Sequence, residues 1–182
     1  APTPVTAFFA SAPKVAAIAL TIRIVLEAFG SQILVWQQII IAVALMSIII
    51  GAVGAIGQQN LKRLMAYSSI NNVGFILIGL ATGTEQGISA MLVYLVIYVA
   101  MTLGSFICLM QLKDKDGSYR EEFADISGLS KTRPALAAAL LIFMFSLAGI
   151  PPLFGFWGKL VVFNAAVAAG LLPLAVIGIT AS

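Results

Sequence analysis

Five stretches of more than 20 residues contain no charged residue: 28–61, 64–84, 86–112, 134–158 and 160–182. A helix crossing the hydrocarbon core of a bilayer needs about 20 apolar residues. Each of the first three stretches is therefore long enough for one span. Charged residues make up only 9% of the chain and hydrophobic ones 61%, whereas soluble domains carry roughly 25% charged residues. So few charges cannot cover a surface that faces water, and most of the solvent must be lipid. The fold class that follows is an all-α polytopic membrane protein. It forms a single transmembrane region, with no soluble domain.

The first span is expected from about Val5 to Phe29. Pro2 and Pro4 suit a helix start, where a missing N–H costs little, and Pro13 lies inside the span and should kink it. "GSQILV" reads as the following loop. The second span covers about Trp36 to Gly57, and "QQNLKR" is a short polar turn. The third runs from about Leu64 to Ala81 and ends at "TGTEQG", and the fourth covers about Gly87 to Leu112. A long polar loop, 113–133, separates these from a fifth apolar region beginning at Pro134 and reaching about Ala169. "GLLP" then turns into a sixth, truncated span, 171–182. The chain opens at Ala1 without methionine, and no basic region precedes its first apolar run as it would in a signal peptide. It reads as an internal piece of a longer membrane protein.

The fifth region is too long for one span. Its 36 residues would make a straight helix of about 54 Å, against a hydrocarbon core of about 30 Å. "GIPP", Gly149–Pro152, sits in its middle. Two half-helices joined by an unwound stretch account for both facts, and such breaks survive in membranes only when buried in protein or lining a hydrated cavity. A proline kink in one long tilted helix is the simpler alternative.

Basic residues in the loops give the orientation. Lys62, Arg63, Lys113, Lys115, Arg120, Lys131 and Arg133 fall on one side, while the loops of the other side carry only Glu85. The basic side should face the cytoplasm or the mitochondrial matrix. The net charge of +3 is small and borne by loops, which argues for orientation in a lipid membrane and not for nucleic acid. The single cysteine, Cys108, cannot form an internal disulfide or hold an iron–sulfur cluster. The absence of histidine removes the usual haem and zinc ligands. No metal-binding or cofactor-binding residues are expected in this chain. Glycines at 51, 54, 57, 74 and 79 lie inside spans with no strand before them, so they read as sites of close helix packing, not as a nucleotide loop.

A few charges fall where they should not. Lys14 is about nine residues, or about 14 Å, into the first helix. Lys159 follows two turns after Pro152, with 25 uncharged residues before it. A lysine at the centre of a spanning helix costs about 2.5–3.5 kcal/mol on insertion scales, so both should face protein or water. Low-dielectric surroundings disfavour the charged form of an amine, which suits such a lysine to taking and releasing protons. A half-helix ending near Leu147 would also leave carbonyls that attract a cation. The alternative is static: each lysine satisfies carbonyls at a break or one acid. Arg23 and Glu27, four apart and nearer an end, read as a local ion pair. Polar groups cluster in "AYSSINN", which supplies Tyr67, Ser68, Ser69, Asn71 and Asn72, and Tyr94 and Tyr98 lie one turn apart in the fourth span. Such groups can hold a water chain, and they can equally tie helices together.

Three segments, "APTPVTAFFASAPKVAA", "GAIGQQNLKRLMAYSSINNVGFILIGL" and "FMFSLAGIPPLFGFWGKLVVF", resemble the antiporter-like membrane subunits of respiratory complex I, the NADH:quinone oxidoreductase. The resemblance is closest to subunit N, called subunit 2 in mitochondria. It implies that the chain covers the family's eighth to twelfth helices and the start of the thirteenth, within a fold of two inverted five-helix repeats, each with a broken helix. "GIPP" (Gly149, Pro151, Pro152) would be the second break. Lys14 would match the family's lysine on the eighth helix, and Lys159 its ionisable residue on the broken twelfth. Both would belong to a polar axis along which, the resemblance implies, protons move; Tyr67, Ser68, Ser69, Tyr94 and Tyr98 are the supporting polar groups that the sequence itself offers. The family's glutamate on the fifth helix and lysine on the seventh are not in this chain.

The implied function is a proton-translocating membrane subunit with no redox centre of its own. Flavin, iron–sulfur clusters and quinone are expected in partner subunits. The implied partners are neighbouring antiporter-like and small membrane subunits, in a bacterial cytoplasmic or mitochondrial inner membrane. A multi-subunit cation/proton antiporter and a structural membrane scaffold are the alternatives.

Overall fold

The computed structural model describes residues 2–113, 119 and 121–181. Lys115 and Arg120, two of the seven basic loop residues, lie outside them. Every regular element among the described residues is helical, apart from the isolated bridges Asn60–Glu122 and Lys113–Tyr119. The α-helices are α1 (Thr3–Arg23), α2 (Ile33–Ile56), α3 (Leu61–Ala81), α4 (Glu85–Met110), a short α5 (Leu129–Thr132), α6 (Pro134–Ala148), α7 (Phe154–Ala168) and α8 (Leu172–Thr180). Four segments are long and apolar enough to cross a membrane: α1 with its π-helical extension to Ala28, α2 with the 3-10 turn before it, α3 and α4. The fifth apolar region is divided, as its length requires. α6 and α7 have 15 residues each, about 22 Å apiece, too short to span alone.

Each of the first four helices begins two to three residues before the apolar run suggests. For α3 and α4 the reason is capping. The Asn60 side chain accepts from the Arg63 amide, and Thr84 accepts from the Gly87 amide at 3.1 Å in both cases. An N-cap oxygen satisfies an amide that the helix cannot, so "LKR" and "EQ" join helices where loops are expected. In α2, Ile33, Leu34 and Val35 of "GSQILV" are already helical, with no side-chain cap before them. Pro13 is carried inside α1, which stays α-helical to Arg23. There Arg23 and Glu27 pair at 3.3 Å in the open, a contact worth only a few tenths of a kcal/mol.

α3 and α4 are the inner helices. From Gly74 to Ala81 every residue of α3 is buried, and a helix apolar all round belongs inside a bundle. Small residues allow the close approach. A Cβ on Gly51 would come within 2.6 Å of the Asn71 backbone nitrogen, and one on Gly74 within 2.8 Å of the Ala44 carbonyl oxygen. Gly54 takes the Tyr67 ring, and Gly79 meets the Gly87 carbonyl across the α3–α4 turn. Gly57 differs: nothing lies within 4 Å of the position its Cβ would take, and it closes the end of α2.

The basic-side ends are fastened to one another. Lys62 Nζ donates to Glu121 Oε1 at 2.6 Å, and the Thr3 hydroxyl donates to the same oxygen at 3.2 Å. The Leu61 amide donates to the Glu121 carbonyl and the Phe123 amide to the Gln59 carbonyl. The starts of α1 and α3 and the α4–α6 connector therefore share one face of the bundle. Burial alone would raise the Glu121 carboxyl. The hydrogen bond and charge of Lys62, with hydrogen bonds from Thr3 and Asn60, outweigh it and hold the group below its ordinary value. A carboxyl depressed on folding contributes stability above its unfolded pKa and loses it as pH falls through the folded one. The connector should therefore stay docked at neutral pH and loosen in acid. Faster hydrogen exchange at the Leu61 and Phe123 amides as pH drops below the ordinary carboxylate range, corrected for intrinsic rates, checks this; Glu121→Gln should show the faster exchange already at neutral pH.

Candidate functional site

The site begins where α6 stops. Gly149 adopts a left-handed conformation (φ 84°), its amide bonds to the Ser146 carbonyl at 3.0 Å, and the Ile150 amide bonds to the Phe145 carbonyl at 3.0 Å. This is a Schellman closure, which glycine permits without a Cβ penalty. Pro151 and Pro152 follow and have no N–H to continue a helix. α7 then starts against α6 itself. The Gly155 amide donates to Ser146 Oγ at 3.0 Å, and that hydroxyl donates onward to Met101 Sδ. Ser146 thus caps the second half-helix from the first.

Lys159 lies across this break. Its Nζ donates to the Ala148 carbonyl at 3.2 Å, and Gly149 is close beneath, where a Cβ would come within 3.1 Å of Lys159 Cδ. The Phe75 ring centroid is 4.5 Å from the ammonium nitrogen. Among the described residues Lys159 is the one charged side chain that is buried, at 7% exposure. It lines two cavities. One, about 320 Å³, reaches up between α2, α3 and α6 past Asn72, Asn71 and Ser68 to Leu64 near the basic face. The other, about 410 Å³, follows α7 past Leu160 and Asn164 to Val167 near the opposite face.

Lys14 enters from the other flank of α3. Its Nζ donates to Ser69 Oγ, which is 2.7 Å from Tyr98 Oη, and the Tyr98 hydroxyl donates to the Ala10 carbonyl at 2.9 Å. That carbonyl is next to Phe9, whose helical donor Pro13 removes. One turn along α4, Tyr94 Oη donates to Asn72 Oδ1 at 2.6 Å, and Asn72 Nδ2 donates to the Ser68 carbonyl at 2.8 Å and its hydroxyl at 3.2 Å. Both tyrosines are completely buried. Gly158 makes room for Tyr94: a Cβ there would meet the ring at 2.3 Å.

The structure thus gathers Lys14, Ser69 and Tyr98 into one hydrogen-bonded run and Tyr94, Asn72 and Ser68 into a second that borders the Lys159 cavity. Tyr67 is not among them; its half-buried ring packs over Gly54 in the α2–α3 contact. Ser146 was not expected to contribute. Its signal is a hydroxyl three residues before the break glycine in an otherwise apolar run. Among the described residues no group of three or more histidine, cysteine or acidic side chains could hold a metal ion.

A discontinuous membrane helix with an ionisable residue at its break is the construction of ion-translocating membrane proteins. The chain belongs to the family described as NADH:quinone oxidoreductase/Mrp antiporter, transmembrane, which matches residues 1–182. It is 69% identical over 182 residues to NADH-quinone oxidoreductase subunit N of Erythrobacter litoralis and 64% identical to that of Sphingopyxis alaskensis. The chain is covered completely in both alignments and spans 37% and 38% of these relatives' lengths. Among solved structures it resembles a chain of respiratory complex I from Thermus thermophilus with bound aureothin, at 34% identity and a TM-score of 0.81, covering all of this chain and 39% of that one. It also resembles a chain of the Mrp complex from Dietzia, at 28% identity and a TM-score of 0.71, covering 80% and 27%.

The close join of the half-helices leads to a prediction. A Cβ on Gly155 would fall 1.7 Å from the Ser146 carbonyl oxygen, which is backbone and cannot swing aside. Overpacking of this kind costs about 1–3 kcal/mol. Gly155→Ala should lower the thermal unfolding midpoint of the detergent-solubilised protein, whereas Gly57→Ala, at the open α2 end, should leave it nearly unchanged.

Proposed function

We propose that this chain forms part of a proton-translocating membrane subunit of an NADH:quinone oxidoreductase, in which Lys14 and Lys159 carry protons. The observation that supports it most is the placement of Lys159: buried at a helix break, with a cavity leading from it toward each face of the bundle. A lysine there can exchange a proton with one face or the other as its charge is favoured or disfavoured. Lys14 reaches the same interior through Ser69 and Tyr98. Hydroxyl groups both accept and donate, so this run can pass a proton along.

Redox energy would be released in partner subunits that hold flavin, iron–sulfur clusters and quinone. It would reach this chain as a change in the charge state of the lysines, and neighbouring membrane subunits would continue the relay. The basic loops would face the cytoplasm, so protons would enter on that side and leave on the other. The likeness to the Mrp complex chain supports a second reading, in which the same lysines serve cation/proton exchange.

Groups that transfer protons directly contribute about 10²–10⁴-fold to a rate. Lys159→Met or Lys14→Ala, in an assembled complex reconstituted in vesicles, should cut NADH-driven proton pumping by about tenfold or more. Undiminished pumping in both variants would contradict the proposal and leave the lysines as static cations of a scaffold. Sodium-dependent exchange without NADH oxidation would favour the antiporter.

A further inference from the structure

The two hydrogen-bonded runs stack on consecutive turns of α3 and α4, since Ser69 and Asn72 are three apart and Tyr98 and Tyr94 four apart. Yet among the described residues no hydrogen bond joins them. The first run, Lys14–Ser69–Tyr98, consists of an amine and two hydroxyls. The second has an amide at its centre, 2% exposed, accepting from Tyr94 on its oxygen and donating from its nitrogen to Ser68. A hydroxyl relays a proton simply: it accepts one on a lone pair and releases its own. An amide does not. To pass a proton it would have to be protonated on Oδ1 and deprotonated on Nδ2, which leaves the unfavourable imidic acid form.

We propose that Asn72, held by Tyr94, is an insulating gate between the Lys14 side and the cavity of Lys159. This rests on the reading of the two lysines as proton carriers. Asn72 lines the cavity that reaches Lys159, so it stands where water from that cavity would otherwise meet the Ser69–Tyr98 pair. With Oδ1 engaged by the tyrosine hydroxyl and Nδ2 by Ser68, the amide is fixed at both ends and the path is broken. When the Tyr94 hydroxyl lets go, the amide can turn, and water can bridge Ser68 to Ser69. Asn72 is a positioning residue: it decides when the path is continuous and does not itself carry the proton.

The test uses the assembled complex in proteoliposomes. Two quantities are read: passive proton leak under an imposed pH gradient without NADH, and protons moved per NADH oxidised. Asn72→Ala opens space for water and should raise the leak severalfold, lowering the proton yield while NADH oxidation continues. Asn72→Leu fills the space with an apolar group and should stay tight. Tyr94→Phe removes one oxygen and should leak in the same direction, to a smaller extent. If Asn72→Ala fails to assemble, Tyr94→Phe decides. Vesicles as tight as the unmodified complex with both Asn72→Ala and Tyr94→Phe would overturn the gate, as would leak equal in the Ala and Leu variants. If Lys14→Ala and Lys159→Met pump poorly while the Asn72 and Tyr94 variants stay tight, only the gate falls. If those lysine variants pump normally, the relay reading itself falls.

Discussion

A helix cannot simply stop inside hydrocarbon. Its last carbonyls and the next helix's first amides must find partners, because water is not there to supply them. The break between α6 and α7 meets this requirement with groups close at hand. Gly149 folds the chain back so that two amides close on α6, Ser146 caps α7, and Lys159 takes the Ala148 carbonyl. The lysine and the break explain each other. A buried ammonium needs acceptors, and a helix C-terminus offers carbonyls with partial negative charge.

Much of the surrounding architecture serves that arrangement. α4 meets α1, α3, α6 and α7, so its two buried tyrosines touch both flanks of the polar interior. Tyr98 faces the Lys14 side and bonds to α1, while Tyr94 faces Asn72 and packs over Gly158 of α7. Glycine supplies the tolerance this needs: Gly158 admits the Tyr94 ring, Gly155 admits the Ser146 carbonyl, and Gly149 leaves the lysine stem unobstructed. The buried side chains of Ser69, Asn72, Tyr94 and Tyr98 are each held by hydrogen bonds.

The sequence made the break and the two odd lysines legible because they violate a length and a solvation rule that the bilayer imposes regardless of partners. It was less informative about helix starts, where single side chains, Asn60 and Thr84, extend a helix past the end of its apolar run. The cluster "AYSSINN" shows the remaining limit. Its hydroxyls are adjacent in sequence, but residues two apart on a helix do not share a face. Ser69 therefore turns to Tyr98 and Lys14, and Tyr67 turns to α2. Helical periodicity alone separates these two. That Tyr98 would reach the Ala10 carbonyl, 88 residues away, depends on how α1 and α4 cross, which no local pattern encodes.

If Lys159 carries protons, it must face a hydrated interior joined to both faces of the membrane. The most direct measurement is a cryo-electron microscopy map of the complete assembly at a resolution that shows ordered water. Water should occupy the cavity of about 320 Å³, running past Ser68 and Asn71 to within hydrogen-bonding distance of Lys159 Nζ. A dry cavity, or one filled by a lipid chain, would contradict it.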